Sequence, residues 1–159
     1  MIFAKLKVRN AAGNQKGVFA AENIENGKKM LDFPGKIVPE EKSNPLDLQI
    51  SKNTVIRASS KNQIDNFLNH SCDPTACVKK KGEVFYLISI KNIKKGDEIT
   101  FDYDTTDYDN KEFEFSCSCK SLKCRKMIRG FKYLDARQKK KLSRYLIPYL
   151  KRIFENQKK

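Results

Sequence analysis

A chain of 159 residues has room for one domain with a sizeable core and too little for two. It is 33% charged and 39% hydrophobic, and no apolar run approaches the roughly 20 residues of a membrane-spanning helix, so a soluble domain is expected. The net charge of +14 is unevenly placed: Lys120–Lys159 holds 15 Lys and Arg against Asp135 and Glu155 alone, while residues 1–119 are nearly neutral.

The first hundred residues read as short strands punctuated by turns. Phe3–Val8 alternates, and Asn10–Asn14 is a turn. Gly17–Ala21 is a second strand, and Asn26-Gly27 is another turn. Strands at Lys29–Phe33 and Lys36–Val38 flank Pro34-Gly35. Pro39–Asp47 is a loop, followed by strand character at Leu48–Ile50 and Thr54–Ile56. Gly82–Ile90 is an apolar run ending at the turn Lys94–Asp97, and Glu98–Tyr103 alternates. The tail changes character. Asp135 and Gln138 have the spacing of a capping box. Leu142, Tyr145, Leu146, Tyr149, Leu150 and Ile153 follow a helical period that Pro148 interrupts, which predicts a kink or two short helices. The apolar stripe is expected to pack on the body, leaving Lys139, Lys140, Lys141, Arg144, Lys151 and Arg152 solvated.

Two constellations carry chemistry. The only histidine, His70, lies in the polar tract Asn69-His70-Ser71-Cys72-Asp73-Pro74. Downstream, Cys117-Ser118-Cys119 and Cys124 place three thiols within eight positions. Met1–Lys7 has no signal-peptide pattern, so the expectation is an intracellular protein whose five cysteines are thiols or metal ligands rather than disulfides. Zinc takes four ligands in a tetrahedron, and the fourth here has three candidates: Cys72, Cys77 and His70. The basic tail fits either an anionic partner such as nucleic acid or a solubilising helix face.

Four stretches in order resemble the SET-domain protein-lysine methyltransferases. They are Lys16-Gly17-Val18-Phe19-Ala20, Asn66-Phe67-Leu68-Asn69-His70-Ser71-Cys72-Asp73-Pro74, Gly96-Asp97-Glu98-Ile99-Thr100-Phe101-Asp102-Tyr103, and the run from Cys117 to Arg125, which is similar to a post-SET zinc knot. The resemblance implies a mainly β fold with some α: a β-clip of short curved sheets in which a C-terminal segment threads a loop as a pseudoknot. It divides the chain into a SET domain (1–115), a zinc-binding segment (116–131) and a basic helical extension (132–159). Gln15, Phe33, Asn66 and Thr75 depart from the residues the family usually has there.

The resemblance further implies S-adenosylmethionine as methyl donor and a structural zinc on Cys72, Cys117, Cys119 and Cys124, with Cys77 left as a buried thiol. Tyr103 takes the place of the catalytic tyrosine. Lys16, Gly17, Val18, Asn69, His70, Tyr103, Met127 and Ile128 are the expected cofactor contacts, with Arg125 a further lid candidate. Gly17 would be needed because a side chain would obstruct the cofactor. Phe101 brings no hydroxyl to restrain a methylated amine, so di- or trimethylation is expected to be permitted. The substrate would be a protein or peptide lysine, of histones or other basic nucleic-acid-associated proteins, and the location cytoplasmic or chromatin-associated. Asp102, Asp104, Asp107, Asp109, Glu112 and Glu114 read either as an attractor for a basic peptide or as a solvated acidic loop. The alternatives are a non-catalytic SET-like module binding chromatin through its tail, and a zinc-stabilised nucleic-acid-binding protein.

Overall fold

A computed structural model describes residues 1–12 and 15–157. The turn residues Gly13 and Asn14 and the terminal Lys158 and Lys159 lie outside the described residues. Among the described residues, twelve short strands form four small sheets, followed by two helices. β1 (Leu6–Asn10), β2 (Lys16–Ala20), β10 (Glu98–Phe101) and β7 (Asn69–His70) make a four-stranded sheet in the order β1-β2-β10-β7. β3 (Lys29–Asp32), β9 (Val84–Ser89) and β8 (Ala76–Lys81) form a second, in the order β3-β9-β8. β4 (Gly35–Pro39), β6 (Thr54–Ala58) and β5 (Leu48–Gln49) form a third, and β11 (Phe115–Ser116) pairs with β12 (Met127–Ile128). This is the mainly β architecture expected. No helix among the described residues is long and apolar enough to cross a membrane.

Three local readings need correction. The first strand begins at Leu6, because Phe3 instead donates its N–H to the Met30 carbonyl (2.8 Å) and Ile2 bridges Leu31. β8 was not foreseen. Its buried half, Ala76-Cys77-Val78, leads into Lys79-Lys80-Lys81, and the lysines conceal it. Gly82, at φ +57°, allows the two-residue turn that pairs Lys81 with Val84. β10 does not alternate: Ile99, Thr100 and Phe101 are all buried, because this strand lies between β2 and β7. The Thr100 N–H donates to Thr75 Oγ1 (2.9 Å), which ties this strand to the segment before β8.

The tail is part of the core. Asp135 and Gln138 form the capping box that starts α1 (Ala136–Leu142), and Pro148 occupies the first turn of α2 (Pro148–Asn156), where its missing N–H costs nothing. Phe131, Ile147 and Leu150 are 0% exposed and join one cluster with Met30, Leu31, Leu87 and Ile99. Tyr149 donates its hydroxyl to Gln49 Oε1 (2.7 Å) and the Thr106 carbonyl (2.8 Å), fastening α2 to the segment after β10. Leu150→Ala is expected to destabilise the whole domain by about 2–5 kcal/mol in chemical denaturation, against about 0.5 or less for exposed Lys151→Ala. Equal, small effects would mean that α2 is only an appendage.

Candidate active site

The Asn69–Pro74 tract crosses the end of β10. Thr100 pairs with Asn69 and Phe101 with His70 in parallel register, while Ser71 and Thr75 donate their N–H groups to the Phe101 and Thr100 carbonyls. Asn69 Nδ2 reaches the Lys16 carbonyl (3.0 Å) and Glu98 Oε1 (2.7 Å). That pair occupies the space over Gly17: a Cβ there would lie 2.9 Å from Asn69 Nδ2 and run into the Glu98 carboxylate. Within the fold, the groups that exclude a side chain at position 17 are therefore Asn69 and Glu98.

His70 is held neutral. Burial, with Arg125 adding to it, pulls its pKa down to about 3. Nδ1 accepts the Tyr103 N–H (3.2 Å), which assigns the proton to Nε2, 3.3 Å from Cys72 Sγ. Asp102 Oδ1 lies 3.7 Å from Nδ1, but with that lone pair already engaged the two do not form an ion pair. One imidazole thus joins the backbone of Tyr103 to a cysteine of the cluster.

Tyr103 lies against Phe101, His70 and Phe115, with ring centroids at 4.8, 5.3 and 6.0 Å. Its hydroxyl donates to the Leu68 carbonyl (2.6 Å), and burial raises its pKa further, so it stays protonated. Two cavities meet at this ring. A cleft of about 440 Å³ is lined by Ala11, Gln15, Asn69, His70, Phe115 and Tyr103 among others. A narrow slot of about 50 Å³ is lined by Phe33, Leu48, Leu68, Phe101, Asp107 and again Tyr103.

The sulfurs of Cys72, Cys117, Cys119 and Cys124 lie within 4.8 Å of one another. Four thiolates about 2.3 Å from a tetrahedral zinc would be about 3.8 Å apart, and Cys72 and Cys117 are at 3.9 Å. The donor set fits zinc and leaves no open position, as a structural site requires. His70 falls beside this set rather than in it. Cys77 lies away from it, buried in β8, where burial raises its thiol. Lys120 and Lys126 adopt positive φ (+57° and +68°) within the cysteine segment, a local cost that a bound metal would offset.

Sequence reasoning missed a buried charge clamp. Arg125 Nη1 and Nη2 contact Asp102 Oδ2 and Oδ1 (2.8 and 2.6 Å), and Nη2 also contacts Asp104 Oδ2 (2.8 Å). Both carboxylates are 1% exposed and Arg125 is 9% exposed. Burial pushes both carboxyls up and Arg125 pulls them back down. The Arg125 N–H donates to Cys72 Sγ (3.3 Å), so the clamp grips both neighbours of Tyr103 from within the cysteine segment. These two carboxylates do not belong to a solvated loop, whereas Asp109, Glu112 and Glu114 are exposed.

A SET-domain family model matches residues 15–104, more than half of the chain. The chain belongs to the SET-domain family. It is 31% identical over 131 residues to the histone-lysine N-methyltransferase Set2 of Drosophila melanogaster, covering 72% of this chain and 6% of that one. It is also 31% identical over 137 residues to the H3 lysine-36 specific enzyme of Debaryomyces hansenii, covering 76% of this chain and 18% of that one. The chain therefore spans less than a fifth of these relatives. Crystal structures of KRYPTONITE share the fold. The complex with mCHG DNA and SAH has a TM-score of 0.68 at 24% identity, covering 79% of this chain and 29% of that one. The complex with mCHH DNA, an H3(1-15) peptide and SAH has a TM-score of 0.66 at 23% identity, covering 79% and 30%.

Of the residues singled out from sequence, this SET domain brings Asn69, His70 and Tyr103 to the cleft and gathers the four cysteines. Lys16 and Gly17 touch the cleft region through Asn69, whereas the Val18 side chain is 0% exposed in the core. Ile128 is also 0% exposed, packed in the cluster of Cys72 and Cys117, and Met127 is 37% exposed. Both sit on β12, opposite Phe115 and Ser116, which do line the cleft. Arg125→Gln is expected to cost about 3–5 kcal/mol by stranding two buried carboxylates, against about 1 kcal/mol or less for Lys123→Gln, whose partner Asp73 is exposed. Elemental analysis should find one zinc per chain, lost in Cys119→Ser. Unchanged metal content in that variant would contradict the cluster.

Proposed function

We propose that this SET domain is an S-adenosylmethionine-dependent protein-lysine N-methyltransferase with a structural zinc. In this reading residues 1–115 form the SET body, 116–131 the zinc segment and 132–159 the basic helical extension. The observation that carries the reading is Tyr103, one side chain that lines both an open cleft and a narrow slot. S-adenosylmethionine would supply a methyl group on a sulfonium, already a good leaving group, so the chemistry needs alignment rather than a Lewis acid. This agrees with a metal site closed by four thiolates. The SAH and H3(1-15) peptide named in the KRYPTONITE complexes support the same cofactor and substrate class.

Asn69 and His70 hold the cleft side, with Phe115 as an apolar wall. Lys16, Gly17 and Val18 contribute backbone near the cleft, and Met127 and Ile128 support its Phe115 edge. On the other side, Phe33, Leu68 and Phe101 give the slot apolar faces beside Asp47, Asp65 and Asp107. Desolvation against those faces and the positive charge of the methyl donor would favour the neutral amine that must attack, while the carboxylates oppose that shift. The Leu68 carbonyl and the Tyr103 hydroxyl, 2.6 Å apart, form the polar edge at which amine and methyl meet. Phe101 brings no hydroxyl to hold a water or restrain a methylated amine, so products up to di- or trimethyl-lysine are expected, readable by mass spectrometry under excess cofactor.

The slot opens into a cleft of about 600 Å³ with which it shares Pro45, Asp47 and Asp107. Glu40, Glu41, Asp109 and Glu112 also line that cleft, and among the residues whose side chains are described no Lys or Arg does. Asp47 is paired with Arg57 and Asp109 with Lys132, so the charge offered to a ligand falls mainly on Glu40, Glu41 and Glu112. This supports a target lysine in a basic segment, such as a histone or another basic nucleic-acid-associated protein, and a chromatin-associated place of action. The tail is the second surface for a chromatin partner.

Tyr103→Phe is expected to bind S-adenosylmethionine normally by calorimetry while turnover falls about 10²-fold or more. Full activity would remove the tyrosine from the reaction. Glu40→Lys with Glu41→Lys should raise KM for a basic peptide about tenfold with kcat unchanged. A fall in kcat alone would place the acidic cleft outside substrate capture.

A further inference from the structure

The folded tail builds a groove that methyl transfer does not use. One side is formed by Lys79 and Lys80 of β8, the other by Arg144, Lys151 and Arg152, with Leu146 and Pro148 between. Its volume is about 430 Å³, and among the described residues the only acidic one lining it is Glu155. Lys79 Nζ donates to the Arg144 carbonyl (2.6 Å), which ties the link between α1 and α2 to the strand and sets the two sides at a fixed separation. The Arg144 guanidinium stacks over the Tyr145 ring at 4.6 Å. Lys80, Arg144, Lys151 and Arg152 are exposed, and among the described residues the one acidic partner of these four, Glu83 on Lys80, is itself 94% exposed.

We infer that this groove holds the phosphate backbone of duplex nucleic acid. Gathered cations repel one another, and an anionic partner removes that cost. The positive end of α2 adds to the field: its first turn has no acidic residue and no side-chain cap, and Pro148 of that turn lines the groove. A second cleft is lined by Lys141, Lys123 and Arg137 together with Asp135. Five cations along one groove suit a repeating polyanion, with one charge per about 1.7 Å of duplex, better than a single anion or a short acidic peptide. Recruiting nucleic acid is independent of the chemistry at Tyr103 and would hold the domain beside basic proteins bound to the same polymer.

The test is fluorescence anisotropy of the full chain with a labelled mixed-sequence duplex of about 20 base pairs, between about 50 and 200 mM salt. Affinity is expected to fall linearly in log–log form with salt. Lys151→Glu with Arg152→Glu should weaken binding at least tenfold and reduce the slope by about two. Lys94→Glu with Lys95→Glu, which makes the same charge change outside the groove, should cost far less. Circular dichroism of both variants separates loss of binding from loss of fold. Equal weakening by the two pairs would overturn the inference by reducing it to net charge. No duplex binding at the lower salt, or a preference for polyglutamate over duplex, would also overturn it.

Discussion

The constraint on which the rest depends is the crossing of β10 with the Asn69–Pro74 tract. Parallel pairing of Phe101 with His70 carries the chain directly into Asp102-Tyr103-Asp104, so the tyrosine emerges between two carboxylates buried to 1% exposure. Two carboxylates so close together in the interior are costly unless a cation meets them. Arg125 does so, and its position directly after Cys124 means that the cysteine segment delivers the counter-charge. Order in the metal site and order at Tyr103 are therefore one energetic problem. His70 makes the second connection, with one nitrogen on the Tyr103 backbone and the other facing Cys72. Such outer contacts to metal ligands orient the ligands as well as the groups behind them.

Much of this could be read from the chain because the chemistry was local. Cys117, Cys119 and Cys124 announce a metal through spacing alone, Asp135 and Gln138 announce a helix start, and Pro148 announces a second helix. The fourth zinc ligand was ambiguous among Cys72, Cys77 and His70 because the choice depends on which strand carries each residue. Cys77 is turned into the core by β8, a strand that the three lysines after it concealed. Asp102 and Asp104 resembled the exposed acids that follow them, since their partner lies more than twenty positions away. Gly17 looked like a concession to a ligand, whereas its neighbours Asn69 and Glu98 already fill the space. In each case the missing information was a contact distant in sequence.

Charge is segregated by role in the folded chain. Acidic residues Glu40, Glu41 and Glu112 line the cleft into which the slot at Tyr103 opens, while cations of β8, α2 and the link before it line a groove elsewhere. The net charge of +14 therefore conceals two surfaces of opposite sign, one suited to a basic segment and the other to a polyanion. The basic extension completes the core with its apolar stripe and carries its charge on the other face.

The central claim is that Tyr103 and the two cavities beside it transfer methyl groups to lysine. Its most direct test is incubation of the zinc-loaded protein with methyl-labelled S-adenosylmethionine and a mixture of core histones and other basic proteins, followed by mass spectrometric mapping. Label on lysine side chains, absent in Tyr103→Phe, is the predicted result. Saturable cofactor binding with no labelled lysine in any protein of the mixture would contradict it and leave a SET module that binds without catalysing.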